Sequence, residues 1–422
     1  MDTIEFQRAL KLGLGRAVLQ LTGHDASSYR EIILDACLHN VAYDPQVEGS
    51  RAEYMFQIIR SSGEAAFYAD AVIRSLSDKE DDWDTPQRFE LARLLAQAGN
   101  PFAREAMYSA FRAKALSASD IALEFIELDG IQGLLFVLRQ VGEQLATNAS
   151  QWEDYSLLFA AGEICGRDVV DAAVLEASNT DENIKVYLTA VEKNRRSGQQ
   201  AERPDPKTLT YDQIRSSIES RRAGGVLRQW AAQASDSDLK LAAHDLIQEK
   251  DLEKLRSYLV LFRKRSFPLD IGHLLRLLEF PDGPIPFHTL TVLANLEHES
   301  VRSLAFKLIE TDSRRGWAID LLIKNFRESD YSTVECWCDL EQDSGTINAF
   351  DRSLRDFFAA HPNPEAEIRM LSKLYEEEPC AHCRSYAVER LLGMNALPDA
   401  LKRECRYDSY ADTRALVNAQ MS

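Results

Sequence analysis

The sequence predicts an all-α protein, and three observations carry that prediction. Apolar residues recur at helical spacing along most of the chain, alternating strands are absent, and the helical stretches are joined by short turns of Pro, Gly, Asn and Asp. Asp129-Gly130 and Asp282-Gly283 do not lie between β-branched runs and read as turns between helices.

Taken in order, the stretch from Ile4 to Leu21 places Leu10, Leu14, Ala17, Val18 and Leu21 on one helical face. A basic amphipathic helix of this kind suits a membrane surface, but packing of its apolar stripe on a neighbouring helix is the stronger reading. Helical periodicity continues over 28–39, 51–61, 65–75 and 87–98. Tyr43-Asp44-Pro45, Ser61-Ser62-Gly63, Asp84-Thr85-Pro86 and Gly99-Asn100-Pro101 punctuate it. At Asp84-Thr85-Pro86 a capping side chain precedes a residue preset for a first helical turn. Arg195 to Pro206 is polar, lacks a large apolar residue and ends in two prolines, which marks a linker over 195–207. The expected organisation is one helical array over 1–194 and a second over 208–422, with a softer break at 146–151.

Composition narrows the function classes. The 422 residues carry 49 Lys and Arg against 67 Asp and Glu, a formal net charge of −18, which opposes long-range attraction to polyphosphate. No apolar run is long enough to span a membrane. Charged residues interrupt the first apolar stretch, so it does not read as a secretory signal. Seven cysteines, an odd number in a chain of this size, fit a reducing cytoplasmic setting better than a disulfide framework.

A weak internal repeat places an apolar residue, a basic residue and a small residue on the first turns of a helix. It occurs at Asn100-Pro101-Phe102-Ala103-Arg104, at Asp238-Leu239-Lys240 with Ala243, and at His298 to Ala305 around Val301-Arg302. Further copies surround Arg384 and Arg414. These segments resemble HEAT-like repeats, including the subset found in phycobilin lyases, where an Asp-Pro-x-Val-Arg stretch opens the second helix of each pair. His298, Cys380 and Tyr410 depart from the turn acid of that pattern. The resemblance implies a right-handed superhelical solenoid of helical hairpins. It also implies that Arg104, Lys240, Arg302, Arg384 and Arg414 are repeat-pairing residues, with Arg104, Arg302 and Arg414 each facing a turn acid of a neighbouring repeat.

Motifs for chemistry are sparse. Gly13-Leu14-Gly15 lies inside a helical pattern and Gly224-Gly225 lacks the Lys-Ser/Thr of a phosphate loop, so packing or a helix junction explains both better. There is no Gly-x-Ser-x-Gly elbow and no His-Glu-x-x-His helix, and eight histidines are scattered singly. The acidic runs at 78–82 and 376–378 read as solvated helix ends. Basic pairs at Arg195-Arg196, Arg221-Arg222, Arg263-Lys264-Arg265, Arg314-Arg315 and Lys402-Arg403 are dispersed. The suggestive constellation is Cys380-Ala381-His382-Cys383 with Cys336-Trp337-Cys338. Its first half has zinc-ligand spacing, but a second Cys-x-x-Cys is missing, and burial as small hydrophobes is preferred over a metal site.

The resulting expectation is a non-enzymatic cytoplasmic scaffold or adaptor without cofactor or metal, holding a protein partner on the concave face of a solenoid. The alternatives are a nucleic-acid-binding or base-repair HEAT-like protein and a phycobilin-lyase-like protein.

Overall fold

A computed structural model describes residues 1–78, 81–113, 118–147, 153–198, 205–221, 225–310, 314–339 and 343–419. Among them the chain is all-helical, with 27 α-helices, three short 3-10 turns and no strand. No described helix is long and apolar enough to cross a membrane. The chain divides into two compact units, Met1–Ala201 with Pro379–Ser422, and Glu202–Glu378. The segment 379–422, grouped by sequence with 208–378, thus belongs to the unit that holds the N-terminus.

The first unit starts with helix Thr3–Leu12, whose N-terminus is closed by reciprocal bonds between Asp2 and Glu5. The apolar stripe buries Phe6, Ala9 and Leu10, and Phe6 stacks on Tyr29 at 4.0 Å between centroids. The expected continuous helix from Ile4 to Leu21 is instead two helices, Thr3–Leu12 and Arg16–Leu21. Periodicity survives the break, but Gly13 at φ 73° is a left-handed cap that ends the first helix. The 51–61, 65–75 and 87–98 patterns correspond to helices Ala52–Ser61, Ala65–Ser75 and Asp84–Gln97. At the last of these, neither Asp84 nor Thr85 caps its own helix. Asp81 accepts from the N–H groups of Trp83 and Asp84, while Asp84 reaches out to Asn40 N at 2.7 Å and His39. From there Ala118–Asp129 packs on Ile131–Thr147, which in turn packs on Glu182–Gly198. Helix Glu182–Gly198 runs into the expected 195–207 linker; residues 199–204 of that linker lie outside the described residues.

The returning segment locks onto the N-terminal helices by polar contacts. Ser409 N donates to Gly13 O at 2.8 Å, and Arg16 pairs with Glu404 at 2.7 Å. A Cβ on Gly15 would stand 1.9 Å from Glu404 O, so the two backbones touch where only glycine fits. Gly13-Leu14-Gly15 is therefore a helix junction and a packing point. Nearby, Glu48 accepts from Ala381 N at 3.1 Å and pairs at 2.7 Å with Arg51, both side chains being 2% exposed. Arg51 also donates to Lys11 O at 2.5 Å, so the Glu48–Arg51 pair ties three chain segments.

The second unit shows how turn residues set helix starts. Thr210, Ser235, Asp251, Asp343 and Asn363 each accept a backbone N–H of the helix that follows. His298, which stands where the repeat pattern has an acid, does the same through Nδ1, accepting from Ser300 N at 3.0 Å. Each cap opens a helix that packs on other helices of the same unit.

Candidate functional site

The basic residues singled out in the repeat fall into different environments. Arg302 donates through both terminal nitrogens to Asp330, at 2.6 and 2.7 Å, and to Asn325 O at 2.8 Å. Asp330 is fully buried at the start of helix Asp330–Asp339. Arg384 faces Asp408 at 3.1 and 3.4 Å, and both are buried. Arg104 reaches Asp129 at 3.0 Å, but its side chain is 56% exposed. The acids follow these three arginines by 28, 24 and 25 residues, about one helical pair. Arg414 differs, donating to Asp408 O and Ser409 O and pairing with Glu53. Lys240 is exposed and has no ion pair among the described residues.

The cysteines do not form a four-ligand set within either unit. Cys336 and Cys338 sit on helix Asp330–Asp339 of the second unit, one exposed and one buried, as a two-residue offset on a helix requires. Cys380 and Cys383 stand at the start of helix Ala381–Gly393 of the first unit. None of the seven cysteines is in a disulfide. Among the described residues no group of three or more His, Cys, Asp or Glu side chains could hold a metal ion. Burial raises the Cys37 thiol far above its usual range and the Cys338 thiol to about 12, so neither is a thiolate at neutral pH.

Of the basic pairs, Arg222 and the Arg196 side chain lie outside the described residues, as do Lys79 and Glu80 of the 78–82 run. Others meet at a site the sequence did not reveal. An open cleft of about 570 Å³ in the second unit is formed around the start of helix Pro284–Leu293. Arg256, Asp282, Phe287, His288, Arg314 and Trp317 line it. Arg314 is fixed by Asp282 at 2.7 Å and by the carbonyls of Leu278 and Phe280 at 2.7 and 3.0 Å. The Phe287 ring meets Trp317 edge to face at 5.3 Å, and Arg352 lies 5.9 Å from the Trp317 ring.

His288 is 7% exposed, and its Nδ1 is enclosed without a hydrogen-bond partner. Burial, and then Arg263, Arg256 and Arg228, depress its basicity to about 4, so the imidazole is neutral at pH 7. Arg263 is itself lowered by burial and by Arg228. Neither Arg228 nor Arg263 has an ion pair among the described residues, and Arg256 has only a long contact to Glu253 at 3.8 Å. In a chain of net charge −18, Arg228 and Arg263 are positive charges near His288 without matching acids.

The sequence hid this site for a definite reason. Its parts come from four separate helices and turns, and His288 is one of eight histidines with no motif around it. The one local signal is Pro284-Ile285-Pro286-Phe287-His288, in which two prolines fall within the first helical turn. No protein-family model matches the chain, and no curated protein or solved structure is significantly similar to it.

Proposed function

We propose that the protein is a non-enzymatic scaffold built from HEAT-like helical hairpins, and that its second unit holds a protein partner at the cleft around His288. The observation that carries this reading is the cleft itself, where Arg256 and Arg314 lie beside the Phe287 and Trp317 rings. Arginine and aromatic side chains are the groups that most often anchor one protein on another. The local pairing of helices supports a repeat array, since a hairpin that cannot bury both faces must stack on its neighbour. A right-handed superhelix is the form we propose for that stack, and a cytoplasmic setting agrees with seven cysteines outside any disulfide.

The same arginines and rings would suit a nucleic acid, whose phosphates and bases meet such groups. The overall charge favours the protein reading. The test uses the full chain as bait in host lysate, with and without nuclease, beside a chain carrying Arg256→Glu and Arg263→Glu. The expected result is a specific protein recovered in both nuclease conditions and lost with the charge reversals. Loss of recovery on nuclease treatment would overturn this reading. So would purified nucleic acid binding more tightly than any protein, with affinity falling steeply in salt.

A further inference from the structure

We propose that the cleft around His288 receives a phosphate monoester carried on an aromatic side chain of the partner, that is, a phosphorylated tyrosine; this inference rests on the scaffold reading.

The ligand's charge follows from the cations. Arg256 and Arg314 line the cleft, while Arg228 and Arg263 act on the same imidazole. Asp282, the lining acid, is already paired with Arg314. A carboxylate is satisfied by one guanidinium fork, whereas a dianion with three outer oxygens engages several. His288 adds a neutral donor. Its Nδ1 is enclosed and partnerless, a position an acceptor tolerates better than a donor, so the ring proton belongs on Nε2. A neutral imidazole with Nε2–H bonds a phosphate oxygen without competing for its charge.

The carrier follows from the rings. Phe287, 44% exposed, and Trp317 present apolar surface next to the cations, with Pro286 and Leu290 among the other lining residues. An aryl group fits against them by offset or edge-on stacking. The volume of about 570 Å³ is within the ordinary range for sites that take a small group. The start of helix Pro284–Leu293 adds little by itself, because Pro284 and Pro286 lack the N–H groups that a helix N-terminus uses to hold anions. Recognition therefore falls on side chains, which substitution can test one at a time.

The full chain, with its histidines isotopically labelled, is titrated with phenyl phosphate, inorganic phosphate, benzoate and adenosine monophosphate. It is also titrated with one synthetic peptide in its tyrosine and phosphotyrosine forms. Phenyl phosphate and the phosphotyrosine peptide are expected to bind at least about tenfold more tightly than inorganic phosphate, benzoate or the unphosphorylated peptide. They should also move the His288 imidazole resonances. Arg256→Gln, and separately Arg263→Gln, should each weaken phenyl phosphate by about tenfold or more. Arg369→Gln, at an exposed pair with Glu335 away from the cleft, should leave binding unchanged.

Equal binding of benzoate and phenyl phosphate would overturn the proposal, as would unaltered affinity in the Arg256→Gln and Arg263→Gln chains. Adenosine monophosphate binding tenfold more tightly than the phosphotyrosine peptide would overturn the protein source of the phosphate. Phenyl phosphate shifting His288 supports the site even where no partner is captured. A partner captured equally well by the Arg256→Gln chain overturns the assignment and leaves the scaffold reading standing.

Discussion

Removing the Arg302 side chain should expose how much the second unit depends on one buried ion pair. In Arg302→Ala, Asp330 loses both guanidinium bonds, at 2.6 and 2.7 Å, and keeps only the Arg327 N–H at 2.7 Å. Asn325 O loses its Arg302 bond, and the Phe306 ring loses a guanidinium 5.1 Å from its centroid. Breaking a buried pair from one side costs about 3–5 kcal/mol, because a desolvated charge is left behind. The pair as a whole is worth much less, so Arg302→Met with Asp330→Leu should return to within about 2 kcal/mol of the native chain. Urea unfolding followed by tryptophan fluorescence and circular dichroism measures both, with the two units allowed separate transitions. A single-mutant loss below about 1 kcal/mol would refute the reasoning, since Arg302 would then behave as an ordinary surface residue.

Three further outcomes follow from contrasts in burial and geometry. Arg384→Ala should match Arg302→Ala in severity, whereas Arg104→Ala, at an exposed pair, should cost no more than about 1 kcal/mol in the same assay. Gly15→Ala should unfold the first unit at lower urea or prevent its folding, because the new Cβ meets Glu404 O at 1.9 Å; an unchanged midpoint would show that the close approach does not exist in solution. Glu124 is lifted to about 7 from 4.5, chiefly by burial and against the opposing bond from Arg93. The folded chain then holds a proton that the unfolded chain has released, so this group's contribution to stability falls as pH rises from 4.5 to 7, by about 2–4 kcal/mol in total. Glu124→Gln should flatten the measured pH profile across that window, and an unaltered slope would exclude Glu124 as its source.

The helices were legible because burial on one side imposes a 3.6-residue period on any surface helix. Their ends were less so. The apolar period runs through Gly13-Leu14-Gly15 without a gap, and only the left-handed φ of Gly13 and the carbonyl against Gly15 break the helix there. Asp84 and Thr85 carry capping chemistry, yet Asp81 caps that helix, because Asp84 finds Asn40 and His39 on another segment. The return of 379–422 onto the N-terminal helices leaves no local trace. Ala381 meets Glu48 across 333 residues, and neither periodicity nor turn chemistry encodes a contact of that range. The cleft was hidden for the same reason, since Arg228, Arg256, His288 and Arg314 share no motif and meet only through packing.

The arginines of the second unit connect its architecture to its proposed site. Arg221, Arg265, Arg302, Arg327 and Arg369 each hold a carboxylate of another helix or turn. A guanidinium held this way helps fix how helices meet and is not available to an outside ligand. Arg228 and Arg263 have no such acid among the described residues, and the imidazole they act on is driven neutral. Arg228 lowers Arg263, so bringing the two like charges together costs some folding free energy. An anion arriving at the cleft would remove that cost and add its own contacts. Binding should therefore stabilise the second unit by more than its contacts alone. Phenyl phosphate at a hundred times its dissociation constant would raise the unfolding free energy by about 2.7 kcal/mol. The gain should vanish in Arg263→Gln, where the repulsion is already relieved and the affinity lost. A chain that gained equal stability from phenyl phosphate with and without Arg263 would show that this repulsion plays no part in binding.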